Sequence, residues 1–297
     1  MTGGLRFLVC ALTGWLTVAS ASAQTVVPPN PSTAEPAIDG ILAAFATHPL
    51  VGLGDFHNLT QEEDFFAGLV RDPRFAREVR DVVVEFGSAS RQMLLDRYLS
   101  GENLTASELR SIWSDRVGWI PGGVRLGYVN FFAQVRAVNL GLPVDRRIHV
   151  WLGDPPIDWS RVRTKADWLP LVHQRDIYAA ALIEREIFSK GRKALVIYGG
   201  EHFYGNNLGP LNNLGPLLQQ KHPDALFIVM PYIGFNEKSC SLAFEQRTRA
   251  WPVPAFVLVR GTALADALRV PGCHAAPAGS PAWEDNHFSG AAGDALL

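Results

Sequence analysis

The chain has 297 residues, of which 47% are hydrophobic and 19% are charged, and its formal net charge is -2. That hydrophobic content suffices for a sizeable core, and a nearly neutral chain without a basic run argues against nucleic acid as a partner. From about residue 38 onward the chain is long enough for one large domain or two small ones.

Residues 1–23 have the pattern of a secretory signal peptide. Arg6 supplies a positive charge, an apolar segment follows it, and the small residues "ASA" form a cleavage site. Because Gln24 rather than a cysteine follows that site, no lipid anchor is expected. Residues 24–37 are rich in proline and predict an unstructured lead-in to a domain that spans 38–297. The sequence therefore predicts a periplasmic or secreted protein with no membrane span after cleavage.

Six short apolar runs predict β-strands. They are nearly continuous in hydrophobic residues, which is typical of strands that are covered on both faces. The predicted strands are 49–55, 81–87, 148–154, 193–200, 225–232 and 255–261. Helical periodicity lies between them at 61–71, 89–100, 105–116, 127–140, 165–190 and 213–221. This alternation predicts an α/β fold, a single large domain with a largely parallel sheet that helices cover on both faces.

Acidic and histidine side chains collect at the carboxyl ends of the predicted strands, where ligands bind in open α/β sheets. They are Asp55, His57, Glu85, Asp154, Glu201 and His202. A carboxylate such as Glu85 at the end of an apolar strand needs a partner or a function. Taken singly, Glu85 could cap the next helix or pair with an arginine, and a single histidine is commonly structural. The coincidence of two histidines with several carboxylates favours a functional site.

The predicted helix 165–190 adds a basic residue to this set. Arg175 lies on the apolar stripe of the helix, four residues after Leu171 and three before Tyr178, and Asp176 borders the stripe. A guanidinium that faces the core needs a carboxylate or an anionic ligand to offset its desolvation. Arg175 is therefore expected either to pair with a strand-end carboxylate or to contact the substrate.

The helix that follows His57 has a start signal. Thr60 and Glu63 have the spacing of a capping box, in which each side chain accepts a backbone N–H of the other residue. Glu62 and Glu63 are then expected to be first-turn residues that interact with the helix dipole. Such a short connection between strand and helix would fix the direction of the His57 imidazole.

Two short motifs resemble those of a known superfamily. "GDFH", ending at His57, and "GGEH", ending at His202, are both G-x-x-H, and Glu85 lies between them at a strand end. A helix containing "QRDIYAAALIE" precedes the second motif. This arrangement, over roughly residues 50–232, resembles the superfamily of erythromycin-esterase-like hydrolases, Tiki and TraB-type proteins and ChaN-like haem-uptake lipoproteins. The erythromycin-esterase-like members favour Glu where this chain has Asp55, and the ChaN-like members carry a lipobox that this signal peptide lacks.

The resemblance implies an α/β domain in which His57, Glu85 and His202 form the site and Arg175 orients or clamps the substrate. Members that act on esters or peptides use these groups to activate a water, and the Tiki-like members are thought to need a divalent metal. Asp55 completes the predicted catalytic set. The residues predicted to bind substrate are Asp154, Asp176, Glu201 and Tyr204.

Two functions of different classes follow. The first is an exported hydrolase of an ester, lactone, amide or peptide bond, in which Glu85 is the general base for a water held by His57 and His202. These three residues could also bind manganese, cobalt or zinc and act through the metal. The second is a haem- or iron-binding uptake protein, for which His202 and Tyr204 are candidate ligands. The partner is in either case a small molecule or a peptide.

Two further features of the sequence lie outside the predicted site. Cys240 and Cys273 remain after signal cleavage, and in an oxidising compartment they are expected to form a disulfide. The tandem repeat "NNLGPLNNLGPL" at 206–217 predicts either an inserted surface loop or a mobile flap beside His202.

Overall fold

An eight-stranded, largely parallel β-sheet forms the centre of the protein. The computed structural model describes residues 33–57, 59–118, 126–203, 213–234, 238–260, 262–268 and 295–297. The strands are β1 (Ala34–Pro36), β2 (Leu50–Asp55), β3 (Arg80–Ser88), β4 (His149–Asp154), β5 (Lys193–Gly199), β6 (Leu226–Met230), β7 (Ala255–Leu258) and β8 (Ala295–Leu296). Their order across the sheet is β1-β7-β8-β6-β2-β5-β3-β4. The five neighbouring strands β6, β2, β5, β3 and β4 are parallel to one another. In contrast, β7 is antiparallel to both of its neighbours, β1 and β8.

Helices cover both faces of this sheet. They are α1 (Ala37–Ala44), α2 (Thr60–Arg71), α3 (Pro73–Glu78), α4 (Gln92–Leu99), α5 (Ala106–Ser114), α6 (Leu126–Leu140), α7 (Lys165–His173), α8 (Arg175–Glu186), α9 (Leu214–Lys221), α10 (Lys238–Thr248) and α11 (Ala263–Leu268). Successive side chains of a strand point to opposite faces. Val51 and Leu53 accordingly pack in one core with α1 to α6, and Leu50 packs in a second core with α8 to α11. The predicted α/β class with a largely parallel, doubly covered sheet is confirmed.

All six predicted strands form, with ends that differ from the prediction by a few residues. The sequence analysis missed β1, β8, α1, α3, α10 and α11. The missed strands have two or three residues, and α3 and α11 have six residues each. Segments this short do not complete enough periods to give a recognisable pattern.

The predicted unstructured lead-in is wrong at its end. Ala34–Pro36 form β1, which pairs antiparallel with β7 at the edge of the sheet. Pro36 suits an edge strand because proline has no backbone N–H to donate. The rest of the lead-in before residue 33 lies outside the described residues, as does the predicted signal peptide.

The predicted helix 165–190 is wrong in its continuity. Gln174 ends α7 and precedes the first residue of α8, so the chain forms two consecutive helices. Arg175 and Asp176 are therefore first-turn residues of α8 rather than mid-helix residues. The apolar residues keep their helical spacing across this break of one residue, so the spacing alone predicted a single helix.

The predicted capping box is also wrong. The residue before α2 is Leu59, and among the described residues no side-chain hydrogen bond caps this helix start. Thr60 is already helical; Glu62 and Glu63 do lie in the first turn, as predicted, and both are buried.

Two further sequence predictions fall at least partly outside the described residues. Cys240 lies in α10, whereas Cys273 is not described, so the disulfide stays a prediction. Most of the tandem repeat is likewise outside, and its second half runs into α9. Among the helices that the structure describes, none is long and apolar enough to cross a membrane.

Candidate active site

The carboxyl ends of β2, β5, β3 and β4 meet at one edge of the sheet. Asp55 of β2 lies in register with Gly199 of β5. The ladder between β3 and β5 reaches only to Val84, and the register of β3 with β4 shifts between Val84 and Ser88. Glu85 thus leaves the regular ladder at this edge, and such irregularities re-aim side chains next to active sites.

His57 is held by Asp55 and Tyr128. Nδ1 of His57 lies 2.9 Å from Oδ2 of Asp55. The Tyr128 hydroxyl donates a hydrogen bond to the same Asp55 oxygen and lies 3.3 Å from His57 Nδ1. The Asp55 side chain is 1% exposed, whereas the His57 side chain is 32% exposed. A carboxylate at Nδ1 keeps a proton on that nitrogen and leaves Nε2 as the reactive atom.

His202 forms a second, more enclosed pair with Asp176. Nδ1 of His202 lies 2.6 Å from Oδ1 of Asp176, and the Leu214 backbone N–H donates to Oδ2 of Asp176 at 2.9 Å. The His202 side chain is 20% exposed. Its carboxylate partner comes from the first turn of α8, whereas Asp55 comes from a strand end. The two histidines therefore have the same kind of partner, supplied by different elements.

Glu85 lies between the two imidazoles. Its Oε2 is 3.8 Å from Nε2 of His57, and its Oε1 is 3.7 Å from Nε2 of His202. The Gly199 backbone N–H donates to Oε2 at 2.7 Å, and Nη2 of Arg175 donates to Oε1 at 2.7 Å. The structure thus brings the two G-x-x-H motifs and the strand-end glutamate into one cluster.

Arg175 joins Glu85 to Asp154. Its Nε donates to Oδ1 of Asp154 at 2.5 Å, and the second Asp154 oxygen accepts the Gly118 backbone N–H at 2.9 Å. The Arg175 side chain is 11% exposed, and both carboxylates are buried. Burial lowers the pKa of Arg175, but Glu85 and Asp154 raise it by more. Arg175 is therefore engaged by protein carboxylates, which was the salt-bridge alternative in the sequence analysis.

The charges of the cluster set the protonation of Glu85 and His202. Burial raises the pKa of Glu85, but His202 and Arg175 together hold it well below its ordinary value. Burial lowers the pKa of His202, but Glu85 and Asp176 raise it to about 10. At neutral pH the cluster thus contains an ionised Glu85 beside a protonated His202. A carboxylate with so low a pKa is a weak base, which disfavours the predicted general-base role of Glu85.

Glu62 lies behind the His57 pair. It is 3% exposed and accepts the Phe56 backbone N–H at 2.8 Å. Burial, assisted by the charge of Asp55, raises the pKa of Glu62 to about 9. Glu62 is therefore a neutral carboxylic acid at pH 7, and the predicted interaction with the helix dipole is wrong for this residue.

The sequence analysis missed two residues of the cluster, Tyr128 and Arg116. Tyr128 stacks on Phe86 at 4.0 Å between ring centres, and its hydroxyl reaches Asp55 across 73 residues of sequence. Arg116 follows α5, and its buried Nη1 has no hydrogen-bond acceptor among the residues that the structure describes. An aromatic residue in an apolar helix and an arginine after a helix end have ordinary structural roles, so no sequence signal marked them.

The residues predicted to bind substrate have different surroundings. Asp154 is engaged by Arg175, and Asp176 is engaged by His202. Both carboxylates therefore position other side chains of the cluster. Glu201 is exposed, and its backbone carbonyl accepts a hydrogen bond from Asn213. Tyr204 lies outside the described residues.

The predicted metal ligands do not fit a metal ion well. Within the described part of the chain, no group of three or more His, Cys, Asp or Glu side chains is arranged to hold one. Both oxygens of Glu85 already accept hydrogen bonds, one of them from the cationic Arg175. A protonated His202 has no free electron pair at Nε2, so a metal would have to displace both a proton and a guanidinium.

His202 could bind a haem iron only through Nε2, and only after that atom had lost its proton. An axial histidine needs one ring nitrogen open toward the iron. In this structure Nδ1 of His202 binds Asp176 and Nε2 faces Glu85.

Comparisons with known proteins give no assignment of family. No family model matches the chain, and no curated protein matches it. Among solved structures, the type III effector HopBA1 is similar over 67% of this chain and 84% of its own, with 15% identity and a TM-score of 0.44. The C-terminal region of Pasteurella multocida toxin, described with a thiol-protease-like catalytic triad, is similar over 67% of this chain and 25% of its own, with 14% identity and a TM-score of 0.44. Another structure described as bacterial protein toxins has 16% identity, a TM-score of 0.43, and coverage of 67% of this chain and 37% of its own. Likenesses of this size are too low to transfer a function.

Proposed function

We propose that the protein is a hydrolase that uses water to cleave the acyl bond of a neutral ester, lactone or amide. One observation carries the proposal: two imidazoles, each with a carboxylate at Nδ1, turn their Nε2 atoms toward the same buried carboxylate. General acid–base catalysis needs one group that accepts a proton and another that donates one. His57 and His202 have surroundings that divide these two tasks between them.

In the proposed mechanism, His57 is the general base. Asp55 orients the imidazole and stabilises the positive charge that it acquires, as a carboxylate does in other histidine-based hydrolytic sites. The His57 side chain is the more exposed of the two imidazoles, so a water can reach its Nε2. His57 removes a proton from this water while the water oxygen bonds to the acyl carbon, and the carbonyl electron pair moves onto the acyl oxygen.

His202 is the general acid of the same mechanism. Its raised pKa keeps a proton on Nε2 at neutral pH. When the tetrahedral intermediate collapses, the carbonyl re-forms and the bond to the leaving oxygen or nitrogen breaks. His202 gives its proton to that leaving atom. The proton that His57 has taken up then passes to His202. It moves between the two Nε2 atoms, which lie 3.8 Å (His57) and 3.7 Å (His202) from the Glu85 carboxylate.

The role of Glu85 in this proposal differs from the predicted one. Glu85 holds the proton on His202 and aligns both imidazoles, and it is not the base. The motif resemblance to the erythromycin-esterase-like, Tiki, TraB and ChaN-like superfamily supports a hydrolase, and export through the predicted signal peptide belongs to the same proposal.

The test is turnover of a panel of alkyl esters, p-nitrophenyl esters, lactones and peptide amides by purified protein. Each assay is run with chelator and with added manganese, cobalt or zinc. His57→Ala, Glu85→Gln and His202→Ala should each strongly lower turnover of the same alkyl ester, and double variants should lose little more, because residues that act as a unit fail together. His222→Ala is the matched control, since His222 also pairs with a carboxylate, Glu184, at 2.8 Å, but outside the cluster.

Full turnover by Glu85→Gln and His57→Ala would reduce the cluster to a structural one. Turnover that appears only with an added metal would restore the predicted metal mechanism. A Soret shift on addition of hemin that is lost in His202→Ala, without turnover of any compound, would favour the haem-binding alternative.

A further inference from the structure

A buried acid of α2 reaches back to the peptide between Asp55 and His57. Oε2 of Glu62 accepts the Phe56 backbone N–H at 2.8 Å. The Phe56 carbonyl accepts the Leu59 N–H at 3.0 Å, and the Leu59 carbonyl accepts the Glu62 N–H at 3.0 Å. The Phe56 side chain is 50% exposed, so backbone contacts rather than burial of its ring fix this residue. Glu62 thus closes the joint between β2 and α2.

The position of this peptide decides whether the first histidine pair, Asp55 with His57, can form. Asp55 is fixed by its register with Gly199, and its Oδ2 lies 2.9 Å from Nδ1 of His57. His57 lies beyond the end of β2, so the strand ladder does not hold it. Rotation about the backbone bonds of Phe56 would carry the imidazole away from the carboxylate. The hydrogen bond from Phe56 to Glu62 is therefore a contact through which α2 restrains the imidazole.

Two carboxyl oxygens at this joint are buried without a hydrogen-bond partner among the residues that the structure describes. They are Oε1 of Glu62 and Oδ1 of Asp55. Two ionised acids in such surroundings would repel each other, which favours a proton on one of them. The Asp55 carboxylate is bonded through Oδ2 to His57 and Tyr128, which favours its ionised form. Glu62, bonded to a neutral backbone N–H, is therefore the acid that keeps the proton.

The charged and titratable groups around Glu62 favour the same assignment. Burial raises the pKa of Glu62 to about 9, assisted by the charges of Asp55 on β2 and Glu63 on the same helix. Helix α6 packs against α2 and contributes Tyr128, whose hydroxyl is bonded to Asp55. No lysine or arginine contributes to the raised pKa, so within the described residues no cation offsets a charge on Glu62.

We infer that Glu62 is a positioning residue of the proposed site: its protonated carboxyl holds the Phe56 peptide inside the first histidine pair, and its ionisation ends activity at alkaline pH. The inference rests on the proposed hydrolytic function and deepens it by assigning the site a pH limit. Ionisation would bury a second negative charge near Asp55 without a cation to offset it. The carboxylate would then turn toward water and release the Phe56 N–H, so the His57 imidazole would lose its fixed direction.

Two variants of the full chain separate the hydrogen bond from the proton. Glu62→Gln keeps an oxygen that accepts the Phe56 N–H and cannot ionise, whereas Glu62→Ala removes the acceptor. Glu108→Ala is the matched control. Glu108 also accepts a backbone N–H at a helix start, that of Thr105 at 2.9 Å, but it lies outside the cluster.

The first measurement does not depend on turnover. Nitrogen chemical shifts of the imidazole rings at pH 7 report which ring nitrogens carry a proton. We expect His57 to be protonated at Nδ1 alone in the native protein, Glu62→Gln and Glu108→Ala, and to be a mixture of tautomers in Glu62→Ala. His202 should give the same shifts in all four proteins, because its carboxylate partner comes from α8.

The second measurement tests the proton on Glu62. A carboxyl with a pKa of about 9 in the fold and an ordinary value of 4.5 in the unfolded chain lowers stability as the pH rises between these values, because unfolding then releases a proton. The melting temperature of Glu62→Gln should therefore gain on that of the native protein, by on the order of several degrees from pH 5 to pH 9. Glu108→Ala should run parallel to the native protein.

The third measurement is hydrolysis of a p-nitrophenyl ester, whose leaving group departs without the proton of His202. At pH 7 the kcat of Glu62→Ala should be about 10- to 100-fold below the native value with KM nearly unchanged, because the base is misdirected. Glu62→Gln should keep kcat within about threefold. Its activity should also persist to a higher pH than that of the native protein, which should decline near pH 9.

The outcomes separate the inference from the proposed function. Unchanged His57 shifts in Glu62→Ala would make Glu62 structural, whatever the protein hydrolyses. A melting-temperature difference between Glu62→Gln and the native protein that is constant with pH would overturn the neutral acid. If Glu62→Ala does not fold, the melting temperatures and the alkaline decline of Glu62→Gln decide.

Two results concern turnover. If esters are hydrolysed and Glu62→Gln loses activity at the same alkaline pH as the native protein, the inference fails while the function stands. If no ester is hydrolysed but the His57 tautomer still depends on Glu62, the positioning role stands and the hydrolase does not.

Discussion

The Asp55–His57 pair and the Asp176–His202 pair share one hydrogen-bond pattern and differ in how the chain builds it. Asp55 and His57 are two residues apart at the end of one strand, whereas Asp176 and His202 are 26 residues apart and meet between a helix start and a strand end. The His57 side chain is 32% exposed and that of His202 is 20% exposed. The comparison teaches that the chain builds the same carboxylate–imidazole unit in an open and in an enclosed setting, and the proposed mechanism assigns the acceptor role to the open one and the donor role to the enclosed one.

The largest expected effect distinguishes the two aspartates. Asp55→Asn should lower kcat about 10³- to 10⁴-fold, because an amide at Nδ1 favours the tautomer that has no free electron pair at Nε2. Asp176→Asn should cost about tenfold, since Glu85 still favours the proton on His202. Steady-state kinetics of both variants at pH 7 make the measurement. Equal losses would mean that the two pairs do not divide the roles of base and acid.

The next effect depends on the leaving group of the substrate. His202→Gln should slow hydrolysis of alkyl esters about 100-fold, because an alkoxide needs a proton to depart. Hydrolysis of p-nitrophenyl esters should fall less than about tenfold, because that leaving group departs without a proton. His57→Gln is the control and should slow both esters alike. A uniform loss on both esters in His202→Gln would contradict its role as general acid.

The smallest expected effect is the change in folding stability with pH. His202 has a folded pKa of about 10 against an ordinary value of 6.5, so between these values the folded protein holds a proton that the unfolded chain has lost. Stability from this group is therefore complete below about pH 6.5 and is lost as the pH rises toward 10. The lowered pKa of Glu85 contributes the same stability at every pH in this range, so it does not alter the pH dependence.

Melting temperatures from circular dichroism between pH 7 and pH 10 test this point. The native protein should lose on the order of several degrees more than His202→Gln over that range. Parallel pH profiles for the two proteins would show that His202 is not protonated in the fold. The enclosed pair would then resemble the open one.

The parts of the fold and site that sequence could predict are those with local causes. The central strands are buried on both faces, so their apolar runs were readable, and Asp55, His57 and Glu85 were found because strand ends concentrate ligands in such sheets. Asp176 was identified as a site residue but assigned to substrate, because its partner His202 is distant in sequence.

Other features have causes that no local pattern contains. Tyr128 reads as one more apolar helix residue until its hydroxyl is seen on Asp55. The break at Gln174 interrupts the backbone but not the apolar period, so Arg175 and Asp176 appeared to lie inside one helix. The pKa of Glu62 is raised because tertiary packing buries this residue. A position in the first turn of a helix does not by itself predict such burial.

The two helical layers have a consequence for when the proposed site is completed during folding. Tyr128, which supports the first histidine pair, belongs to the core that α1 to α6 form on one face of the sheet. Asp176, which supports the second pair, begins α8, whose Ala179 and Leu182 belong to the core on the other face. A folding intermediate with only one layer docked would possess the sheet edge and half of the proton-transfer machinery. If the proposed hydrolysis is confirmed, it should begin only when both layers have closed on the sheet, and turnover would then report the completion of folding.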